Sequence, residues 1–322
     1  MFFKNFFTIL FIVLISSNSF SKDVQKIRIG TLQYGSVNWE LEIIKNLKLD
    51  AKNNIDVEIV QLASKNAAAV ALQGKAVDLI VTDWFWVSRQ RSMNRMFSFV
   101  PHSMAAGGLI VNKNSDIKNV EDLKNKKIGI AGGQVDKSWL IFRAHYKQMF
   151  GSDLANESKP IFGAPPLLNK KIEQGSFDAI LTYWPYQARL LSKEFVKIID
   201  ITDIIQKLGV PGGMPIIGWV FRDEWANENK ELLGNFLKTS NIAKKQMSES
   251  DEVWKFIKPI MKAENKKIYD NLKEIYREGI PSNFSTEQID GAKILYKKLA
   301  EIGGKELVGN SPEMTIGTFW KN

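Results

Sequence analysis

The sequence predicts an α/β protein of two Rossmann-like lobes, joined by a two-crossing hinge, with C-terminal helices packing on lobe 1. Three observations carry this expectation. A segment from Leu72 to Trp84 recurs one hundred positions later. Short apolar runs alternate with helical patterns in both copies, as parallel βαβ units require. Two Gly/Pro-rich extended stretches separate the copies from each other and from the C-terminal part.

The first segment is expected to lie outside the fold. Lys4 is followed by an apolar run from Phe6 to Ile15 and a small, polar stretch from Ser16 to Ser21. This is the order of a secretory signal peptide, and the run is shorter than the ~20 residues that span a bilayer. Ser19-Phe20-Ser21 suits a small-x-small cleavage site before Lys22, so residues 1–21 are predicted to be removed. No cysteine occurs in the chain, so a lipid-anchored form is excluded.

In the first copy the strands are predicted at 26–32, 56–62 and 77–82, with helices beginning near Asn38 and Asn66. In the second they fall at 127–131, 158–162 and 177–182, with helices beginning near Lys137 and Pro166. The repeat is carried by Gln73-Gly74 with Asp78, Ile80, Thr82 and Trp84. It returns as Gln174-Gly175 with Asp178, Ile180, Thr182 and Trp184. Upstream, Arg28-Ile29-Gly30 corresponds to Lys127-Ile128-Gly129. The glycine of each Gln-Gly pair suits a helix C-terminus, where positive φ is needed. Asp78 and Asp178 open strands, whereas α/β sheets bind ligands at strand C-terminal ends, so both are given a local cap or turn role.

The two crossings are Met104-Ala105-Ala106-Gly107-Gly108-Leu109-Ile110-Val111 and Gly209 to Phe221. They divide the chain into lobe 1 (22–107), lobe 2 (108–213) and a return with C-terminal helices (214–322). In that last part Ile289, Ala292, Leu295, Leu299 and Ile302 recur at helical spacing, as do Trp254, Ile257 and Ile260.

Composition excludes several functions. The chain of 322 residues has no cysteine and two histidines, His102 and His145. Thiol nucleophiles, Cys-zinc sites and iron–sulfur ligation are therefore impossible. The formal charge of +9 comes from mixed Lys and Glu helices with no basic block interleaved with aromatics. That pattern describes solvated faces, and no nucleic-acid partner is expected. No G-x-S-x-G, G-x-x-x-x-G-K-[ST] or H-E-x-x-H pattern occurs, so no catalytic residue, metal or cofactor is assigned. His102 is expected to be a hydrogen-bonded structural residue near the hinge, and His145 a surface residue.

The candidate ligand site lies at the strand ends facing the cleft. Lobe 1 offers Gln33, Tyr34, Asp83, Trp84 and Trp86; lobe 2 offers Gly133, Gln134, Asp136, Phe162, Tyr183, Trp184 and Tyr186. Met214 joins them from the second crossing. Large aromatics at strand ends ordinarily complete a core, but matched clusters in both copies place some of these in the cleft. There they could sandwich a planar ring or cage an organic cation, with Asp83 as counter-charge or as a helix N-cap. The Gly-rich turn before Asp136 could hold an anionic or carbonyl oxygen on backbone N–H groups. Asp136 in the first turn opposes a strongly anionic ligand, and Lys137 pulls the other way.

The order and spacing of Ile27–Gly35, Gln73-Gly74…Asp78, Asn119-Val120-Glu121-Asp122-Leu123-Lys124-Asn125-Lys126-Lys127-Ile128-Gly129 and Gln174-Gly175…Asp178 resemble a known family. It is that of type II periplasmic solute-binding proteins of ABC importers, in the nitrate/taurine/sulfonate and thiamine-pyrimidine branch. The resemblance covers Lys26 to Phe221. It implies the type II periplasmic binding protein fold and a monomeric, non-enzymatic periplasmic receptor. Such a receptor captures a small molecule, closes on it and delivers it to an ABC permease, bending near Met104–Gly108 and Gly212–Met214. Sulfonate-binding members often carry Ser/Thr-rich residues where this chain has Gly132-Gly133-Gln134-Val135-Asp136. That departure speaks against a sulfonate or nitrate ligand, and the aromatic loops point to a heteroaromatic or organic-cationic one. An enzyme of this fold acting on a pyrimidine-like substrate is the alternative, though the yeast pyrimidine synthases need cysteines absent here. A soluble sensory input domain is the third possibility.

Overall fold

The computed structural model describes residues 24–33, 35–211, 213–281 and 284–321. The expected signal peptide, Tyr34 and Gly212 lie outside the described residues. Lobe 1 opens with β1 (Gln25–Leu32), α1 (Val37–Asn46), α2 (Leu49–Lys52), β2 (Ile55–Leu62), α3 (Lys65–Gln73), β3 (Leu79–Asp83), α4 (Trp84–Arg91) and β4 (Phe97–Ser103). The chain then crosses as β5 (Gly107–Asn112). Lobe 2 continues with β6 (Lys127–Ala131), α5 (Lys137–Phe150), α6 (Leu154–Glu157), β7 (Lys159–Gly163), α7 (Pro165–Glu173), β8 (Ala179–Tyr183), α8 (Trp184–Leu191), β9 (Phe195–Asp200) and α9 (Ile201–Lys207). The return is β10 (Ile217–Arg222), followed by α10 (Asp223–Glu228), α11 (Lys230–Glu249), α12 (Trp254–Met261), α13 (Lys266–Glu278) and α14 (Thr286–Val308).

Two five-stranded sheets form, in the orders β2-β1-β3-β10-β4 and β7-β6-β8-β5-β9. The crossing strands hold equivalent places. β10 runs antiparallel to β3 with Ile217 opposite Asp83, and β5 runs antiparallel to β8 with Gly107 opposite Tyr183. Each crossing therefore starts or ends at the carboxyl ends of the parallel strands, where α/β sheets place ligands. At Gly107, φ is +111°, and a Cβ there would lie 2.0 Å from the Thr182 carbonyl oxygen, so only glycine fits this approach.

The internal repeat is held by the same bond in each lobe. Asp78 accepts from the backbone N–H of Arg28 at 2.8 Å and donates its own N–H to the Arg28 carbonyl. Asp178 accepts from the N–H of Lys127 at 2.7 Å and returns its N–H to the Lys127 carbonyl. These aspartates are structural, as expected, but they tie one strand to the next instead of capping a turn. In lobe 1 the Arg28 guanidinium adds a bond of 2.6 Å to the same carboxylate. The Gln-Gly expectation holds in one lobe only. Gly175 has φ +74°, but Gly74 has φ −80° and the left-handed residue is Lys75 at +62°. The helix end is one residue longer in lobe 1, so the repeat places glycine one position early.

The C-terminal helices do not all return to lobe 1. α11 and α12 pack on α1, but α13 packs on α8 of lobe 2, and α14 lies on both α4 and α5. An apolar cluster accordingly runs from Trp84 and Phe85 through Tyr296 and Leu299 to Leu140 and Phe142. The periodic residues of α14 face two lobes at once, which a one-dimensional pattern does not distinguish. His145 also differs from expectation. It is 3% exposed in α5, and burial, with Lys207 nearby, pushes its imidazole pKa down.

His102 is buried as expected, within a polar network. Lys244 Nζ lies 2.6 Å from Glu40 Oε2, 3.0 Å from Ser240 Oγ and 3.2 Å from His102 Nδ1. Ser240 donates to Glu40 Oε1 at 2.5 Å and accepts from Trp219 Nε1 at 3.3 Å. Burial, and then the Lys244 charge, hold the His102 pKa well below 6.5. A neutral ring explains how Nδ1 can accept from the ammonium. The network joins α1, β4, β10 and α11.

Candidate functional site

The parallel strands of both lobes deliver polar side chains to one another across the cleft. Asp83 ends β3 and caps α4, accepting from the Trp86 N–H at 2.9 Å through Oδ1. Its Oδ2 lies 3.2 Å from Lys137 Nζ, which belongs to the first turn of α5 in lobe 2. Neither partner is strongly exposed: the side chains retain 17% and 27% of their accessible surface. The expected cap role of Asp83 is thus present on Oδ1, while Oδ2 is engaged by Lys137 of lobe 2.

On lobe 2, Asp136 caps α5 by accepting from the Ser138 N–H at 3.0 Å. Its other oxygen accepts from the Tyr183 hydroxyl at 2.6 Å. Burial is the first cause that pushes the Tyr183 pKa up, followed by Asp136 and, more weakly, Asp83, so the phenol stays protonated and remains a donor. Gly132, with φ +92°, lies beneath this bond; a Cβ there would sit 2.7 Å from the Tyr183 hydroxyl oxygen. From lobe 1, Lys65 at the start of α3 places Nζ 5.6 Å from the centre of the Tyr183 ring. The cleft therefore holds two carboxylates and two ammonium groups, of which Asp83 and Lys137 form an ion pair.

The helix termini here are occupied by their own caps. Ser64 accepts from the Ala67 N–H for α3, while Asp83 and Asp136 serve α4 and α5. Side-chain oxygens already take these N-terminal donors, and two of the caps are charged negatively. The macrodipole at α4 and α5 is thus spent on internal carboxylates.

The other expected site residues separate into groups. Gln33, Gly133 and Gln134 are exposed at the strand ends. Phe162 is half-buried and edge-on to Trp139 at 6.2 Å. Tyr186 is half-buried, with the Arg189 guanidinium 5.9 Å from its ring centre. Trp86 packs on Phe97 at 5.2 Å. Trp84 is 0% exposed and stacks on Phe85 at 3.8 Å, with Tyr296 and Phe319 adjacent. Met214 is 1% exposed in the same apolar cluster. These two belong to the core, because the C-terminal helix α14 covers the face that the repeat alone leaves open.

Trp184 has a different position from its repeat partner. It is 6% exposed and reaches from lobe 2 into a socket of lobe 1, edge-on to Trp39 at 5.7 Å and to Tyr276 at 6.4 Å. It packs against Trp39 of lobe 1 and Tyr276 of α13 and keeps only a small exposed margin. Lys65, Trp39 and Tyr276 were not among the expected residues. Lys65 was within reach of sequence reasoning, since it precedes the predicted helix start at Asn66. Trp39 and Tyr276 lie far from Trp184 in sequence and meet it only through the fold.

Comparison with known proteins bears on the whole architecture. The aliphatic sulphonate-binding protein SsuA of Escherichia coli, a periplasmic protein, superposes with a TM-score of 0.72 at 17% identity, over 92% of each chain. The alkanesulfonate-binding SsuA of Xanthomonas axonopodis pv. citri, solved with MOPS, gives 0.66 at 14% identity, over 92% of this chain and 98% of that one. A putative sulfonate-binding SsuA from Methylobacillus flagellatus KT gives 0.66 at 14%, over 92% and 91%. These likenesses establish the type II periplasmic binding protein fold. No curated protein matches the sequence. Residues 51–252 match the family described as NMT1/THI5 like, which spans more than half of the chain and most of both lobes. The chain belongs to the NMT1/THI5-like family.

Proposed function

We propose that this chain is a periplasmic solute-binding receptor that captures a small organic molecule between its lobes and delivers it to an ABC-type importer. One observation carries this reading: the Asp83–Lys137 ion pair joins the two lobes at the strand ends. A solute entering there must replace that pair, so its binding is coupled to the angle between the lobes. Among the described residues no cluster of His, Asp and Glu is arranged to hold a metal ion. The expected signal peptide, the family and the sulfonate-binding neighbours support export and transport, and the protein works as a monomer.

The ligand is an organic cation or a heteroaromatic compound bearing a basic group. Asp83 receives its positive charge, and the Tyr183 ring, with Phe162 and Tyr186 at the rim, supplies aromatic surface. The core positions of Trp84 and Met214 remove the double tryptophan sandwich from this proposal. Lys137 competes with a cationic ligand for Asp83. Lys137→Gln should therefore tighten binding of a quaternary amine or protonated pyrimidine, and Asp83→Asn should weaken it, each by about tenfold, or ~1.4 kcal/mol. A thermal-shift screen of pyrimidines, quaternary amines, sulfonates and amino acids finds the ligand, and calorimetry on the two variants reads the sign. A ligand bound equally well by both variants contradicts the assignment of Asp83. At a hundred times Kd, stabilisation reaches about 2.7 kcal/mol by mass action, a shift of several degrees.

A further inference from the structure

A second concavity lies beside the hinge, away from the Asp83–Lys137 pair. It is a crevice of about 500 Å³ between α13 on one side and α8, the end of β9 and α9 of lobe 2 on the other. Tyr183 turns toward Asp136, whereas Trp184, the next residue, turns to this flank. The lining is rich in acceptors. Asp200 and Asp203 come from lobe 2, and Glu274 and Glu278 from successive turns of α13. Lys197 is the cation in the lining, and it is already paired with Asp200. Among the described residues no cation is paired with Asp203 or Glu278.

A buried neutral group makes this more than an acidic surface. Gln187 lines the crevice at 3% exposure. Its Nε2 donates to Asp200 Oδ1 at 3.2 Å, while its Oε1 is buried and has no hydrogen-bond partner in the protein. A buried amide oxygen without a donor is costly and rare, so a donor from outside the chain is called for. The neighbouring carboxylates of Asp203 and Glu278 favour a positively charged donor there.

We propose that this crevice is a second binding site, for a small organic ammonium ion such as an aliphatic diamine. One ammonium donates to Gln187 Oε1, and the charge is balanced by Asp203, Glu274 and Glu278. The site has a mechanical consequence. The hinge residue Met104 donates its N–H to the Gly279 carbonyl at the end of α13 at 2.7 Å, and its carbonyl accepts from Thr202 Oγ1 of α9 at 3.2 Å. Both walls of the crevice are thus bonded to the hinge segment at Met104, and a cation bridging them favours one setting of the lobes.

The test is titration calorimetry of the full exported chain with 1,4-diaminobutane, against sodium chloride at equal ionic strength. The expected result is saturable one-to-one binding. It weakens at least about tenfold in Glu274→Gln/Glu278→Gln, whose exposed positions leave the fold unchanged by thermal melt, and also in Gln187→Met. Binding that persists in Asp83→Asn places the diamine outside the cleft. Absence of heat beyond the salt control overturns the proposal. So does binding that the double variant leaves unchanged, and loss in Asp83→Asn alone would assign the diamine to the cleft.

Discussion

Lys244→Met is expected to lower folding stability by about 3–5 kcal/mol, because it leaves the Glu40 carboxylate buried without its ion partner. Glu40 is 0% exposed and Lys244 6% exposed, so water cannot replace the lost contact. Ser240 would still donate to Glu40, but one hydroxyl cannot balance a charge. The double variant Glu40→Leu/Lys244→Met should recover part of the loss, since removing both charges also removes both desolvation costs. Urea unfolding checks this through a lower midpoint for the single variant at unchanged slope. A midpoint equal to the parent's would mean that the network contributes nothing. The same network predicts acid sensitivity. Burial depresses the folded pKa of His102, and also that of His145. Their contribution is complete above the unfolded value of 6.5 and is lost as pH falls below it, because the unfolded chain binds protons that the folded rings refuse. Urea midpoints should therefore decline between about pH 7 and 5, and less steeply in His102→Gln.

The second large effect separates the two repeated tryptophans. Trp84→Ala should cost about 3–5 kcal/mol, as expected for truncating a fully buried indole. The folded fraction should bind solute with the parent's affinity, because Trp84 touches the core only. Trp184→Ala should also destabilise, but by loosening lobe 2 from the socket of Trp39 and Tyr276. Its signature is a changed ligand affinity as well as a lower unfolding midpoint. Equal affinities in both variants would contradict the interlobe role of Trp184.

The repeat was legible because strand ends and helix ends depend on local spacing; the Arg28–Asp78 and Lys127–Asp178 ties join residues about fifty positions apart and were not. The two lobes and the crossings followed from it. The C-terminal helices were legible as helices but not as bridges. The apolar spacing of α14 says which face is buried, not that one stretch meets α4 and another α5. That missing knowledge moved Trp84 from cleft to core. Charge pairing was half legible. Asp83 stood out in sequence, and Lys137 was visible beside Asp136, but their meeting at 3.2 Å depends on how the lobes face each other. The surface assignment of His145 failed for a related reason. Its helix carries Lys137 and Lys147, but α9 and α14 both pack on it.

The most direct test is calorimetric titration of the purified protein with the strongest compound from the solute screen, followed by recovery of that compound. The expected result is one site per chain, weaker binding in Asp83→Asn, and a compound recovered chemically unchanged. Conversion of the compound to a product, or binding indifferent to Asp83 and Lys137 alike, would contradict it.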